Sequence, residues 1–512
     1  MLGRAPNTNL LGGPGLWLQA TVACVLSVVI LLTRSPALVA ALGTVLLLAI
    51  LHRPWRAMPV FFLWIGLLGS TSLLKLDVGI QLVELDAVML PAGLWAVITR
   101  PTAVRRRTRS RVGLMVGLLV LVVAVSATIG LLHGNDPQLV RNEARPFLYL
   151  LVMYLLTSFS LGSLDRLHGL TKIWIVVSLI VAIRTLLVSA LTPMPVPGTE
   201  EAVVYATRVL NSGGFKRVLP EGSELYTSQA LLLIWAGLMV GVQRLTAPTC
   251  AALTVLLAAI AVSYTRSYWF PTVLILAAIT LVEWWKMSPR RRSSFLLRLG
   301  FGGLVLAGLA VWLCIVRAEV LDGLSFPLTR ANVLSAYRAG DPNIWTRLAE
   351  VEALWALFKE KPVLGHGLGA KYAVFAAFAG ETVEWNYTHN AYLYFLFKTG
   401  AIGFTVLLVL LLVYALEMRK AYIVAPSPAD RFLALGFLSS TMVLLASSLT
   451  APWLIHYVGA AYFGFALAVA AFFERRSKRV AKPQLTPQLQ GLYLRHSYRV
   501  WSSMWSWRDV GR

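Results

Sequence analysis

Three arginines and one histidine stand at the ends of apolar runs, where a charge or a titratable ring needs a reason. "SYTRSYWFP" holds Arg266 in a very short turn, flanked by Tyr264, Tyr268 and Trp269. Those aromatics read as an interfacial belt. The arginine is harder to dismiss, because a tight turn cannot carry its guanidinium far from a membrane surface. Arginine suits a phosphate, which it grips through two parallel hydrogen bonds. "RNEARPF" sets Arg141 and Arg145 four residues apart, on one face if the segment is helical. In "THNAY", His389 precedes Asn390 at the start of an apolar run. A neutral imidazole accepts a proton from a hydroxyl near neutral pH, which makes His389 a candidate general base.

Weaker signals surround these. Arg208, Lys216 and Arg217 flank "NSGGF", whose glycines allow a backbone to approach a ligand. Arg347 opens "TRLAEVEALWALFKE", where Glu350 or Glu352 offers it a structural partner. Arg141 and Arg145 have their own bland explanation in lipid headgroups or Glu143, and His389 in interfacial hydrogen bonding. Neither His366 nor His389 has an acidic or histidine partner at metal-ligand spacing, so no metal site is expected. Lys398 is costly in lipid and should face the protein interior, with Glu84 and Asp86 as possible partners. Gly400 and Gly403 suit close helix approach.

The elements that position these residues follow from composition. The chain has 512 residues, 58% hydrophobic and 13% charged, with mean hydropathy +0.71. A soluble protein carries about a quarter charged residues. Repeated apolar runs predict an all-α, polytopic transmembrane bundle of about 14 spans. They cover 15–33, 36–51, 57–74, 79–99, 113–132, 146–160, 171–191, 228–243, 249–264, 269–285, 298–316, 391–416, 431–449 and 455–473. The first reads as an uncleaved helix, and the spans at 36–51 and 146–160 are short enough to be tilted or re-entrant. Cys24, Cys250 and Cys314 show no paired spacing and read as packing residues.

The net charge of +23 falls in clusters such as "RPTAVRRRTRSR" and "KMSPRRRSSFLLR" between apolar runs. That is the positive-inside pattern and gives no argument for nucleic acid. Placing the N-terminus inside puts every arginine-rich cluster on the cytoplasmic side. The organisation is then 1–316 as helices 1–11 with outward loops at 132–146 and 192–229, and 317–388 as a large, partly helical extracytoplasmic loop. Residues 389–473 supply helices 12–14, and 474–512 form a basic, aromatic cytoplasmic tail suited to anionic lipid. In the large loop, Ile344, Trp345, Leu348, Val351, Leu354, Trp355 and Phe358 recur at helical spacing between Pro342 and Pro362. This helix is expected to lie against the outer membrane face and wall a cavity.

Three stretches resemble the bacterial O-antigen ligase and polymerase family. "TRSYW" (265–269) is similar to its short-turn arginine motif, and "TRLAEVEALWALFKEKPVLGHGLGAKY" (346–372) to its loop helix with a glycine-rich turn. "THNAYLYFLFKTGAIGF" (388–404) is similar to its histidine-led helix start with paired glycines. Here His389 and Asn390 are adjacent, where the family pattern has a spacer, and His366 has no counterpart. The resemblance implies transfer of a glycan from a polyprenyl-pyrophosphate carrier to an acceptor on a glycan or lipid, at the outer face of the bacterial inner membrane. It implies catalytic roles for His389 and Arg266, and further phosphate contacts from Arg141 and Arg145; Arg217, Arg347 and Asn390 stand beside them as candidate substrate contacts. It also implies inversion at the anomeric carbon without metal or other cofactor. The competing reading is a flippase for lipid-linked glycans, kept open by Glu84, Asp86 and Lys398 as intramembrane charges.

Overall fold

The computed structural model describes residues 110–191, 202–220 apart from 205–206 and 213–214, 224–296 apart from 264, 291 and 294, and 342–480 apart from 377–379, with isolated positions 58, 62 and 300. The spans expected at 15–33, 36–51, 79–99 and 298–316, nearly all of 57–74, and the tail beyond 480 lie outside the described residues, as do Glu84 and Asp86.

Ten α-helices are described: α1 (Arg111–Leu132), α2 (Pro137–Ser160), α3 (Leu164–Leu191), α4 (Glu224–Val240), α5 (Ala247–Ser263), α6 (Arg266–Lys286), α7 (Pro342–Glu360), α8 (Ala391–Ile423), α9 (Pro428–Ser447) and α10 (Tyr457–Val480). Six are long and apolar enough to cross a membrane: α1, α3, α6, α8, α9 and α10. The count of 14 spans is not established by these residues. The segments expected at 228–243 and 249–264 are the apolar helices α4 and α5, each of 17 residues.

Two expectations change in detail. The run at 146–160 is no short span: α2 is 24 residues long and starts at Pro137, with Pro146 inside it. Asp136 caps it by accepting from the Gln138 amide at 2.9 Å, and Pro137 occupies the first turn, where its missing N–H costs nothing. Arg141 and Arg145 therefore ride the first turns of a helix instead of a loop. The segment 192–229 also folds further than expected. It contains a three-stranded antiparallel sheet of β1 (Ala202–Val204), β2 (Thr207–Ser212) and β3 (Phe215–Pro220) before α4 begins. Arg217 pairs with Leu210 across the β2–β3 register.

The core sits where α2, α3, α4, α9 and α10 meet. Trp174 stacks on Tyr226 at 4.1 Å between ring centres, and Phe62 meets Trp174 edge-on at 4.9 Å. Helices α2 and α10 approach backbone to backbone at Gly464, where a Cβ would lie 2.2 Å from the Leu150 carbonyl oxygen. Small residues allow such contact where lipid offers no hydrophobic drive to associate.

The bundle has two chemically distinct ends. At one, Arg111 lies 3.8 Å from Glu417, its amide donates to Glu474 at 3.0 Å, and Arg476 pairs with Asp430 at 3.0 Å. The opposite end gathers the C-terminus of α1, the N-termini of α2 and α8, and the segment from α7 through a two-stranded hairpin, β4 (Tyr372–Ala376) and β5 (Glu381–Trp385). This second end holds the candidate site.

Candidate active site

Helix α8 is too long to be one straight crossing. Its 33 residues span about 50 Å at 1.5 Å each, against about 30 Å of hydrocarbon. The helix breaks at Gly400, where φ is 63° and ψ is −168°, a region essentially closed to residues with a Cβ. The break frees backbone groups, and the turn after α7 takes them. His366 and Gly367 amides donate to the Phe397 and Lys398 carbonyls at 2.9 and 3.0 Å, and the Ala401 amide donates to Pro362 at 2.8 Å. On its other side this turn is pinned to α1, with the Leu368 amide donating to the Ser126 carbonyl at 3.0 Å. The "GHGLG" glycines are there because backbone meets backbone: a Cβ on Gly367 would fall 2.4 Å from the Gly130 nitrogen. His366 belongs to this seam, its Nε2–H donating to the Leu357 carbonyl at 2.8 Å.

Lys398 does face inward and is fully buried. Its partner among the described residues is Glu143 of α2, at 2.8 Å. Glu143 accepts further from the Gly369 amide at 2.7 Å and the Tyr394 hydroxyl at 3.1 Å, while Lys398 also donates to the Ala370 carbonyl. The carboxylate expected to hold Arg141 and Arg145 instead ties α2, the glycine turn and α8 together. A buried pair survives only when its remaining donors and acceptors are also satisfied, as they are here. Arg141 is exposed and Arg145 half-buried on the same helix.

A second buried carboxylate lies under His389. One face of α7 carries Thr346, Ala349, Glu350, Ala353, Leu354 and Leu357, at spacings of three and four, and turns towards β4 and α8. Glu350, expected as a partner for Arg347, is spent elsewhere. His389 donates its backbone amide to Glu350 Oε1 at 2.7 Å, and its ring Nδ1 lies 3.0 Å from Oε2. The Tyr372 hydroxyl sits between Glu350 Oε1 at 2.9 Å and the Tyr387 carbonyl at 2.6 Å. Burial pushes the Glu350 carboxyl up, but hydrogen bonds from His389, Thr388 and Tyr372 outweigh it and hold the group below the usual range. Burial, then the Glu350 charge, raise the Tyr372 hydroxyl, which stays protonated. The His389 side chain keeps 30% exposure beside the rings of Tyr387 and Trp385. Asn390 caps α8, its oxygen accepting from the Tyr392 and Leu393 amides at 3.0 and 3.1 Å. That leaves its Nδ2 as the side-chain donor.

Arg266 is the first residue of α6, and there only its backbone is described; the same holds for Arg217 in β3. The start of α6 is nonetheless tied to the start of α8. The Ala391 amide donates to the Ser448 carbonyl at 3.0 Å, and Ser448 Oγ accepts from the Leu454 amide at 3.1 Å. The neighbouring Trp453 ring lies 5.1 Å from Tyr268, two residues beyond Arg266. One turn, 448–455, therefore touches both. Arg347 is exposed on α7. Below Arg266, Val273, Leu276, Ala277, Thr280, Leu281 and Trp284 line an apolar groove along α6. Among the described residues no group of three His, Cys, Asp or Glu side chains forms a metal-ligand cluster.

Sequence reasoning missed the Glu350–His389 pair and the Glu143–Lys398 pair. The first was findable, because Glu350 shares the three-and-four spacing of the inward residues Thr346, Ala353, Leu354 and Leu357. The second joins residues 255 apart and left no local signal.

Comparison with known proteins gives one family match: residues 251–408 fit the family model described as O-antigen ligase. The match runs from α5 through α7 and the hairpin into α8, and it supports the O-antigen ligase and polymerase family. No curated protein matches the chain.

Proposed function

Taking the O-antigen ligase pattern over residues 251–408 as its premise, we propose that this membrane protein is a glycan transferase. It moves a glycan from a polyprenyl-pyrophosphate carrier to an acceptor hydroxyl on a glycan or lipid, at the outer face of the bacterial inner membrane. The observation that carries the reading is the shared turn 448–455, which holds the start of α6, with Arg266, beside the start of α8, with His389.

In this reaction the acceptor oxygen attacks the anomeric carbon from the face opposite the pyrophosphate. The new carbon–oxygen bond forms as the sugar–phosphate bond breaks, and the lipid pyrophosphate leaves with the bonding electrons. The acceptor proton passes to His389, a step worth about 100- to 10,000-fold. Arg266 meets the charge that builds on the leaving oxygen, and fixed cations in a water-poor site are often the largest catalytic term. Arg141 and Arg145 add phosphate contacts, and Arg217, Arg347 and Asn390 contact the glycan or carrier. Guanidinium groups do here what a metal ion does in other glycosyl transfers, and inversion follows from the single displacement. The α6 groove suits the apolar tail. The flippase reading loses one of its supports, since Lys398 is neutralised by Glu143 and is no unpaired charge on a transport path.

Purified protein in detergent, given a lipid-pyrophosphate glycan and candidate acceptors, tests this directly. Arg266→Ala and His389→Ala should each cut product formation at least 100-fold while staying monodisperse. Either variant folding and transferring at the wild-type rate would remove that residue from the mechanism. Carrier movement across the bilayer without bond formation would favour the flippase.

A further inference from the structure

The carboxylate of Glu350 comes from a helix 39 residues before His389, is only 2% exposed, and directs both its oxygens at that one residue. A buried charge without a task is expensive. We propose that Glu350 is the positioning residue of the transfer reaction: it holds the His389 ring by Nδ1 and turns Nε2 towards the acceptor. The inference rests on His389 acting as the base.

The proton count fixes the tautomer. An ionised carboxylate accepts and does not donate. Each Glu350 oxygen lies within 3.0 Å of a His389 nitrogen, so the ring nitrogen facing it must carry hydrogen. The neutral ring therefore bears its proton on Nδ1 and its lone pair on Nε2, which hydrogen-bonds to no described residue. Nε2 is the nitrogen that takes the acceptor proton, and Glu350 remains ionised throughout while stabilising the imidazolium that forms. This is how a carboxylate behind an imidazole acts in nucleophilic enzymes generally. The surroundings favour it. Among the described residues, Glu350 from α7 reaches this nitrogen, Tyr372 from β4 donates to the same carboxylate, and Tyr387 packs edge-on against the ring at 5.3 Å. Tyr372 donates from beneath without competing for Nδ1, so one carboxylate is shared without conflict.

The test compares Glu350→Gln with His389→Ala in the detergent assay above. Glu350→Gln should lower kcat about 100- to 10,000-fold with KM for the lipid-linked donor within about twofold of wild type. The acidic limb of its kcat/KM profile should move to lower pH, because the imidazolium has lost its counter-charge. A role confined to folding would change stability or KM and leave that limb in place, which overturns the proposal. Full rate in Glu350→Gln with loss of rate in His389→Ala also overturns it, and spares the base. Full rate in both removes the base as well. Should Glu350→Gln fail to fold, Glu350→Asp decides: the shorter carboxylate should keep the acidic limb and lose kcat, and an unchanged kcat overturns the proposal.

Discussion

Gly365 and Gly400 meet backbone to backbone. A Cβ built on either would fall 2.6 Å from the other's amide nitrogen, and on Gly400 it would also fall 2.3 Å from the Val363 carbonyl oxygen. Both residues have positive φ, 71° and 63°. This contact joins the turn after α7 to the α8 helix, so the segment that delivers Glu350 is bolted to the helix that delivers His389.

Alanine at either position should be severe. Backbone strain of about 1–3 kcal/mol adds to overpacking of similar size, with no flexible side chain able to yield. Gly365→Ala and Gly400→Ala are expected to lower the thermal unfolding midpoint sharply or yield aggregated protein. Gly117→Ala is the control. It lies in α1 with open space around it, and should be neutral or gain about 0.5–1 kcal/mol from helix propensity. Thermal scans of the three purified variants check the order.

Lys398→Met should cost about 3–5 kcal/mol, since it leaves Glu143 charged and buried without its cation. Adding Glu143→Gln should recover part of that loss, because the pair can be removed together more cheaply than it can be broken. Stability of the two single variants and the double variant closes the cycle. Additive losses would mean that the two side chains do not interact.

Much of this arrangement was legible before any coordinates. The α8 start at Ala391, the loop helix between Pro342 and Pro362, and the inward Lys398 all follow from local rules: the onset of an apolar run, helical spacing, the cost of a charge in lipid. Rules of that kind fail for long-range partners. Nothing near Lys398 in sequence names Glu143, and Glu350 looked like a local mate for Arg347 until its helical face placed it inward. Gly400 and Gly403 read alike as small residues, yet only Gly400 breaks the helix, because the "GHGLG" turn supplies the hydrogen bonds that the break releases. The start of α2 was placed at 146, where the apolar run begins, while Asp136–Pro137 carried the real start signal.

Acid should loosen the α7–His389 contact in a defined direction. The Glu350 carboxyl is held below its ordinary range by its hydrogen bonds. Its stabilisation is therefore complete above the unfolded value of about 4.3 and fades as pH falls through the lower folded value. Tyr372 works from the other side: its raised hydroxyl favours the folded state until pH passes about 10, where the unfolded phenol ionises. Hydrogen exchange over 372–376 and 388–393 should thus accelerate at both extremes relative to neutral pH, after correction for intrinsic rates. Glu350→Gln should flatten the acidic arm alone.

The outward face of α7 should rest on lipid. Trp345, Leu348, Val351 and Trp355 share one side of the helix at steps of three and four, and each is more than 40% exposed in the isolated chain. That face does not stand alone. Val363 and Leu364, just beyond α7, are 58% and 48% exposed, and the Val363 carbonyl accepts from the Ile402 amide at 3.3 Å. Ile402 begins the exposed apolar row of α8 that continues through Leu408, Leu412 and Leu416, the row a bilayer must cover. An apolar face with tryptophans, joined to a lipid-facing row, has the character of an interfacial helix. An environment-sensitive dye on Leu348→Cys should emit blue-shifted in nanodiscs and be quenched by nitroxide-bearing lipid. The same dye on Glu384→Cys, an exposed charged position of the hairpin, should show neither effect. Equal, water-like emission from both sites would detach α7 from the membrane and leave its tryptophans to contact the glycan instead.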